Sequence, residues 1–201
     1  MIIGPICVGK TSVAAELSAL LGVRHVSLDE LAPQYLSQSA WYDPDRGEEL
    51  EREDGYVAKY RYREPVFPWL LGQLFAEHGD CVFDLGAGHT CLLDPSLVAD
   101  VAAQLASFSN VILLLPSPDR TRSLAVIRDR LRADPERDGD VWEYDDIDFL
   151  SHWVTSGQNE RLATHVVFTE ERRPPEVAAE IRMLLVTGTT PTTPSSQWSV
   201  G

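Results

Sequence analysis

The chain is almost devoid of lysine: among 201 residues only Lys10 and Lys59 are present. Lys plus Arg number 17 against 31 Asp plus Glu, giving a formal net charge of −14. Such a surface repels DNA or RNA unless the basic residues form a segregated stripe, and here there is only a scatter of arginine. No apolar run approaches the roughly 18 residues of a membrane span, and the N-terminus lacks a charged-then-apolar leader pattern. Cysteine is scarce too. Cys7, Cys81 and Cys91 are odd in number and have no metal-like spacing, which fits small buried side chains in a reducing cytoplasm. His25, His78, His152 and His165 offer no mutual spacing for a metal either. These absences leave a cytoplasmic globular chain with no nucleic-acid or membrane partner, of a length that suits one domain.

Apolar runs and turn signals alternate in the β–α–β manner of a parallel sheet covered by helices. Strands are predicted over residues 1–3, 23–28, 81–85, 111–115 and 165–168. Residues 111–115 are consecutive aliphatics, as expected of a strand buried on both faces. A helix is predicted over 11–21, where Val13, Ala14, Leu17, Leu20 and Leu21 recur at helical spacing and Gly22 is the stop. Further helices are expected over 29–36, 69–77, 95–107, 118–131 and 175–185, with helical signals also from Tyr56 and a break at Pro65 and Pro68. Residues 38–54, rich in Asp, Glu and Gly, read as an exposed loop or insertion, and 132–140 as a polar breaker. Residues 1–186 then form one domain. Residues 187–201, mostly Thr, Ser, Pro and Gly, have little to bury and are expected to be disordered.

Gly4-Pro5-Ile6-Cys7-Val8-Gly9-Lys10-Thr11 matches G-x-x-x-x-G-K-[ST] at every fixed position, after a strand and before a helix. The glycines let successive backbone N–H groups turn inward toward a β-phosphate. Lys10 reaches the β and γ oxygens, and the Thr11 hydroxyl is a Mg²⁺ ligand; Ser12 completes the nucleotide-contacting run. The positive end of the following helix adds to the field, so an acidic chain can still hold an anion locally. An ordinary glycine turn is the other reading, and average residue usage puts a chance match at roughly once in a hundred chains of this size. Only Met1, Ile2 and Ile3 precede Gly4, so the strand is either trimmed or begins upstream of Met1.

Cys81-Val82-Phe83-Asp84 is an apolar strand ending in a carboxylate, the pattern that supports Mg²⁺ beside a P-loop, although Asp84 could equally be a strand-end cap. Leu85-Gly86-Ala87-Gly88-His89 follows. Alone, Val82 to Gly88 also looks like the first motif of methyltransferases that bind S-adenosylmethionine. Those enzymes place it on their first strand and end the next in a carboxylate, whereas the strand at 111–115 runs into Pro116-Ser117.

Tyr60-Arg61-Tyr62-Arg63-Glu64 is similar to an F-R-x-x-E element, and Gly86-Ala87-Gly88 to a triple-glycine loop. Val26-Ser27-Leu28-Asp29 sits where a D-x-D follows the second strand, and residues 114–118 lead into an Arg-rich helix. In this order the segments resemble the shikimate kinase-like small-molecule kinases of the nucleoside-monophosphate-kinase-like P-loop group. The resemblance implies a three-layer α/β P-loop NTPase fold with a five-stranded parallel sheet, helices on both faces and an Arg-bearing lid at about 128–141. It implies ATP and Mg²⁺ as cofactors, with the metal on Thr11 and Asp84. Arg61, Gly86, Ala87, Gly88 and Asp29 would hold the acceptor, and Asp29 would orient or deprotonate its hydroxyl. Arg128, Arg130, Arg132 and Arg137 are lid candidates, with Arg132 named as catalytic beside Lys10.

Each role has an ordinary counterpart. Arg61 beside Glu64 also suits a solvated helix surface, and Asp29 also suits a helix N-cap. His89 could face the acceptor or be a structural histidine. Trp41, Tyr42, Tyr56, Tyr60 and Tyr62 could wall an acceptor pocket or pack the core. The sequence also departs from the family pattern. Ser27 replaces its first Asp, Ala87 its middle glycine, and no R-P-L-L opens the lid. Residues 142–148 are acidic, which would suit a neutral or amine-bearing acceptor rather than shikimate. The expectation is a monomeric or homodimeric ATP-dependent phosphotransferase acting on a small-molecule hydroxyl. The alternatives are a P-loop ATPase or nucleotide-binding regulator and, further off, the methyltransferase.

Overall fold

Ile2 and Ile3 form β1, a two-residue strand with neither side chain exposed. In the computed structural model, which describes residues 1–134, 143–144 and 147–187, the chain then turns through the glycine loop into α1 (Lys10–Leu21). Gly22, at φ 68°, ends that helix with its backbone N–H on the Ser18 carbonyl. Next come β2 (Arg24–Ser27), α2 (Leu28–Gln38), α3 (Pro44–Asp54), α4 (Tyr56–Arg63), a 3₁₀ turn at Glu64–Val66, α5 (Phe67–Glu77) and β3 (Cys81–Asp84). A short α6 (Ala87–Thr90) leads to α7 (Pro95–Leu105), β4 (Ile112–Leu115) and α8 (Arg120–Ala133). The hairpin strands β5 (Glu143–Tyr144) and β6 (Ile147–Asp148) precede α9 (Phe149–Thr155), α10 (Gln158–Leu162), β7 (His165–Phe168) and α11 (Pro174–Thr187).

The five-stranded sheet is parallel throughout, in the order β2-β3-β1-β4-β7, with β5 and β6 paired separately. Because parallel crossovers are right-handed, the connection from β1 to β2 lies on one face, and those from β2 to β3 and from β3 to β4 on the other. Accordingly α1 packs with α11, while α5 packs with α7 and sets Phe75 against Phe83 of β3. The sense in which successive connections cross the sheet reverses between β1 and β3. A crevice therefore opens beyond their carboxyl ends, the place where open α/β sheets bind ligands. The P-loop leaves β1 there, and Gly86 to Gly88 leave β3 beside it.

Four of the five predicted strands and most helices differ from expectation only at their ends, and the 165–168 strand coincides with β7. The larger difference lies in 38–54, where a loop was expected. Asp43 caps α3 by accepting from the Asp45 N–H, Pro44 occupies its first turn, and the helix packs along α4. Its polarity reflects an exposed helix laced by Arg46–Glu49 and by Lys59 with Glu48 and Glu51. α9 and α10, which tie the β3–α7 connection down, are not among the helices expected from the sequence. Gln158 brackets Leu92, its Oε1 accepting from the backbone N–H at 2.9 Å and its Nε2 donating to the carbonyl at 2.8 Å. The central lid residues, Arg137 among them, and the tail from 188 onward lie outside the described residues.

Candidate active site

The P-loop is built by backbone that ordinary residues avoid. Gly4 has φ 141° and lies against the Leu114 carbonyl, leaving no space for a Cβ; Gly9 has φ 92°. Cys7 is left-handed at φ 57° despite its side chain, a strain of the kind found at ligand-binding turns. α3, α7, α8 and α9 each begin under an aspartate whose side chain accepts from the first turn. Like α2, α4 and α5, α1 has no side-chain cap, and its open N–H groups lie at the glycine loop, where an anion can accept from them. Lys10 is folded back and buried, with Nζ donating to the Pro5 carbonyl at 2.7 Å, whereas Thr11 and Ser12 are exposed.

Two cavities flank the loop. One, of about 250 Å³, lies between Cys7–Val8–Gly9 and a wall of Arg130, Thr169, Arg172 and Pro174. The other, of about 320 Å³, holds the charged groups Lys10, Asp29 and Arg63 and is lined by Ala87, Gly88 and His89. Its walls include Tyr56, Tyr60, Phe67 and Trp153. Arg63 lies over the Tyr60 and Phe67 rings, 5.8 and 5.4 Å from their centroids, and its buried Nε has no hydrogen-bond partner. Tyr60 is held from below, donating to the Gly88 and Cys91 carbonyls at 3.0 and 3.3 Å, and burial raises its phenol far above the ordinary range.

Several predicted residues converge on the second cavity: Lys10, Asp29, Ala87 and Gly88, with the Ile6 side of the P-loop. Gly86 underlies it. A Cβ on Gly86 would overlap the Asp29 carboxylate and come within 2.7 Å of His89 Nδ1, and one on Gly88 would meet the Tyr60 hydroxyl at 2.9 Å. Both glycines thus make room for close side-chain packing, and Gly88 also lines the cavity. Asp29 is not the cap of α2, because Ser27 occupies that position and Asp29 lies in the first turn.

Arg61 is not in the cavity. It is exposed and lines a separate hollow with Glu64, Leu93 and Asp94. Arg63, two residues or about 200° farther round α4, faces the cavity instead. Glu64 is fully buried and accepts from the backbone N–H of Leu93, with burial pushing its carboxyl above the usual range. Arg132 points to solvent and pairs with Asp129 at 3.1 Å. Arg130 instead reaches the P-loop, and Arg128 holds Asp148 and Glu143. Of the aromatics, Tyr56 and Tyr60 wall the cavity, Tyr42 packs on Tyr62 at 5.4 Å, and Trp41 is exposed against Trp69.

The donor set for a metal is uneven. The exposed Thr11 hydroxyl at the mouth of the phosphate cradle is an oxygen donor of the type Mg²⁺ takes alongside phosphate and water. Asp84 is wholly buried; Ser27 Oγ donates to its Oδ1 at 3.3 Å, and His25 Nε2 lies 3.1 Å from Oδ2. Thr11 therefore fits first-hand ligation, and Asp84 fits a supporting position behind Ser27. No group of three or more His, Cys, Asp or Glu side chains able to hold a metal occurs among the described residues. None of the described helices is long and apolar enough to cross a membrane.

The architecture is a P-loop α/β fold with its glycine loop and a cleft at the carboxyl ends of β1 and β3. No protein-family profile matches the chain, and no curated protein matches it in sequence. Solved structures do match. Shikimate kinase from Acinetobacter baumannii, in complex with shikimate, is 15% identical with a TM-score of 0.57, covering 94% of this chain and 92% of that one. Shikimate kinase from Aquifex aeolicus is 17% identical with a TM-score of 0.58, covering 93% and 95%. That from Bacteroides thetaiotaomicron is 16% identical with a TM-score of 0.55, covering 93% and 96%. The chain has a shikimate kinase-like P-loop kinase fold.

Proposed function

We propose that the protein is a phosphotransferase that moves the γ-phosphate of ATP onto a hydroxyl of a small molecule. One observation carries this reading: a complete P-loop separates two cavities, with buried Lys10 lining the inner one. ATP fits with its phosphates on residues 4–12 and its base in the outer cavity beside Arg130 and Pro174. The acceptor fits the inner cavity. An ATPase or nucleotide-binding regulator needs the cradle but has no use for a second, aromatic-walled cavity containing Asp29 and Arg63. The methyltransferase reading loses support because Gly86 and Gly88 are accounted for by packing against Asp29, His89 and Tyr60.

Phosphoryl transfer is catalysed chiefly by positioning and charge stabilisation. Lys10 and the uncapped N–H groups of α1 stabilise charge gathering on the transferred phosphoryl oxygens. When bound, Mg²⁺ would supply further neutralisation of phosphate charge, and Thr11 is the residue that would hold it, with Asp84 in support behind Ser27. Asp29 orients the attacking hydroxyl. Arg63 takes the role first given to Arg61 and offers a fork of donors to acceptor oxygens.

The cavity's cations, Lys10 and Arg63, outnumber Asp29, and the Glu143 and Asp148 side chains from the acidic stretch are engaged by Arg128. Those charges favour an acceptor with an anionic or oxygen-rich group over an amine-bearing one. The test is ligand-induced stabilisation. ATP with Mg²⁺ is expected to raise the melting temperature, Lys10→Ala to abolish that shift, and S-adenosylmethionine to have no effect; a shift with S-adenosylmethionine alone contradicts the reading.

A further inference from the structure

Beside Lys10, Asp29 and Arg63, the inner cavity is lined by the imidazole of His89 on α6. Its Nδ1 is buried, has no hydrogen-bond partner, and lies 3.7 Å from Asp29 Oδ1. That is beyond hydrogen-bond range and within the distance a closing site takes up. The part of the ring that remains open, 11% of the side chain, borders the cavity. Phe67 meets the imidazole edge-on, centroids 4.7 Å apart at 78°, and the His89 backbone N–H donates to the Gly86 carbonyl at 3.0 Å. Ring plane and backbone are therefore both fixed. The missing side chain of Gly86 makes the space in which Asp29 and His89 meet.

Resting on the phosphotransferase reading, we propose that His89 is a catalytic base whose Nε2 takes the proton of the attacking hydroxyl, with Asp29 holding Nδ1–H. In the step, the hydroxyl oxygen bonds to the γ-phosphorus. The bond from that phosphorus to the β–γ bridging oxygen breaks, its electron pair leaving with ADP. The hydroxyl proton passes to Nε2, and the imidazolium, stabilised by Asp29, later releases it to water. Asp29 is then a positioning residue for the imidazole through one oxygen, while its other oxygen remains for the acceptor. The charged groups facing His89 are Lys10 from α1, Asp29 from α2 and Arg63 from α4. Burial, with Arg63 and Lys10, holds the imidazole below its ordinary range against the opposing pull of Asp29, so it is neutral and able to accept a proton at pH 7.

The experiment uses ATP with water as the acceptor, in the wild-type protein, His89→Gln and Asp29→Asn. Hydrolysis is followed between pH 3 and 9, a range that spans the lowered titration of His89, with ATP binding and folding measured in parallel at each pH. Wild-type hydrolysis is expected to fall on the acid side. His89→Gln is expected to lower kcat about 100-fold at unchanged ATP affinity and to erase the acid limb. Asp29→Asn is expected to keep that limb but move it to lower pH. Hydrolysis by His89→Gln at the wild-type rate, or with the same acid limb, overturns the proposal while leaving ATP binding intact. Failure of the wild-type protein to bind or hydrolyse ATP overturns the phosphotransferase reading itself. Imidazole nitrogen NMR of the wild-type protein needs no variant to fold: the Nδ1–H tautomer of His89 is expected, and the Nε2–H tautomer contradicts the couple.

Discussion

Arg130 of α8 donates from Nη1 to the carbonyl oxygen of Cys7, 3.1 Å away, joining the helix to the left-handed turn of the P-loop. Its other nitrogen donates to the Thr169 carbonyl at 3.3 Å, so one guanidinium bridges the P-loop and the end of β7. Removing it frees the loop and strips a cation from the outer cavity. Arg130→Ala is therefore expected to weaken ATP binding about tenfold or more. Arg132→Ala, breaking an exposed i,i+3 pair, is expected to change it less than about twofold. Titration with a fluorescent ATP analogue distinguishes the two; equal losses would contradict the assignment.

Gly86→Ala tests the packing beneath the inner cavity. The added methyl has no room beside Asp29 Oδ1 and His89 Nδ1, so either the β3–α6 turn or both side chains must move. Overpacking of this kind costs about 1–3 kcal/mol. Urea unfolding should show a loss of that size, and ATP hydrolysis should fall further than the stability change explains.

Tyr60→Phe should destabilise the fold without changing the shape of the core. The hydroxyl serves the Gly88 and Cys91 carbonyls, and Tyr60 is among the largest fully buried side chains. Leaving those acceptors unpaired costs about 1–3 kcal/mol. The expected signature is a lower urea midpoint at unchanged m-value.

His89 also ties stability to pH. Its imidazole is lowered to about 4 in the folded protein from an ordinary 6.5. Between those values the unfolded chain binds more protons than the native one, so stability rises with pH. The contribution is fully present above about pH 6.5 and is lost as pH falls through that window. His89→Gln is expected to flatten the slope of unfolding free energy between pH 4 and 6.5, measured against wild type. An unchanged slope would place the origin in other groups.

The P-loop was legible because each fixed position answers a separate physical demand: positive φ at Gly4 and Gly9, a buried cation at Lys10, a hydroxyl at Thr11. Asp29 was legible from its place just after β2. The acceptor side was less so. A short motif such as Tyr60 to Glu64 does not say which arginine of α4 faces inward. Only packing decides it, with Tyr60 and Phe67 drawing Arg63 over their rings. Trp153 went unassigned because α9 has only seven residues, too few for a periodic signal, although Asp148 before Phe149, Leu150, Trp153 and Val154 was a readable start. Composition misled at α3, where the Asp43-Pro44 helix start outweighed polarity. The order β2-β3-β1-β4-β7 was not legible: the strand spacing suits a parallel sheet, but right-handed crossovers are compatible with several orders.

The central claim is tested most directly by incubating the protein with ATP, Mg²⁺ and a panel of small hydroxylated metabolites, then following product mass. The account predicts that one acceptor, with an anionic or oxygen-rich group beside its hydroxyl, gains a single phosphate as ADP forms, and that Lys10→Ala abolishes the gain. Stabilisation by ATP with no phosphorylated acceptor anywhere in a broad panel would contradict it and favour a nucleotide-binding regulator.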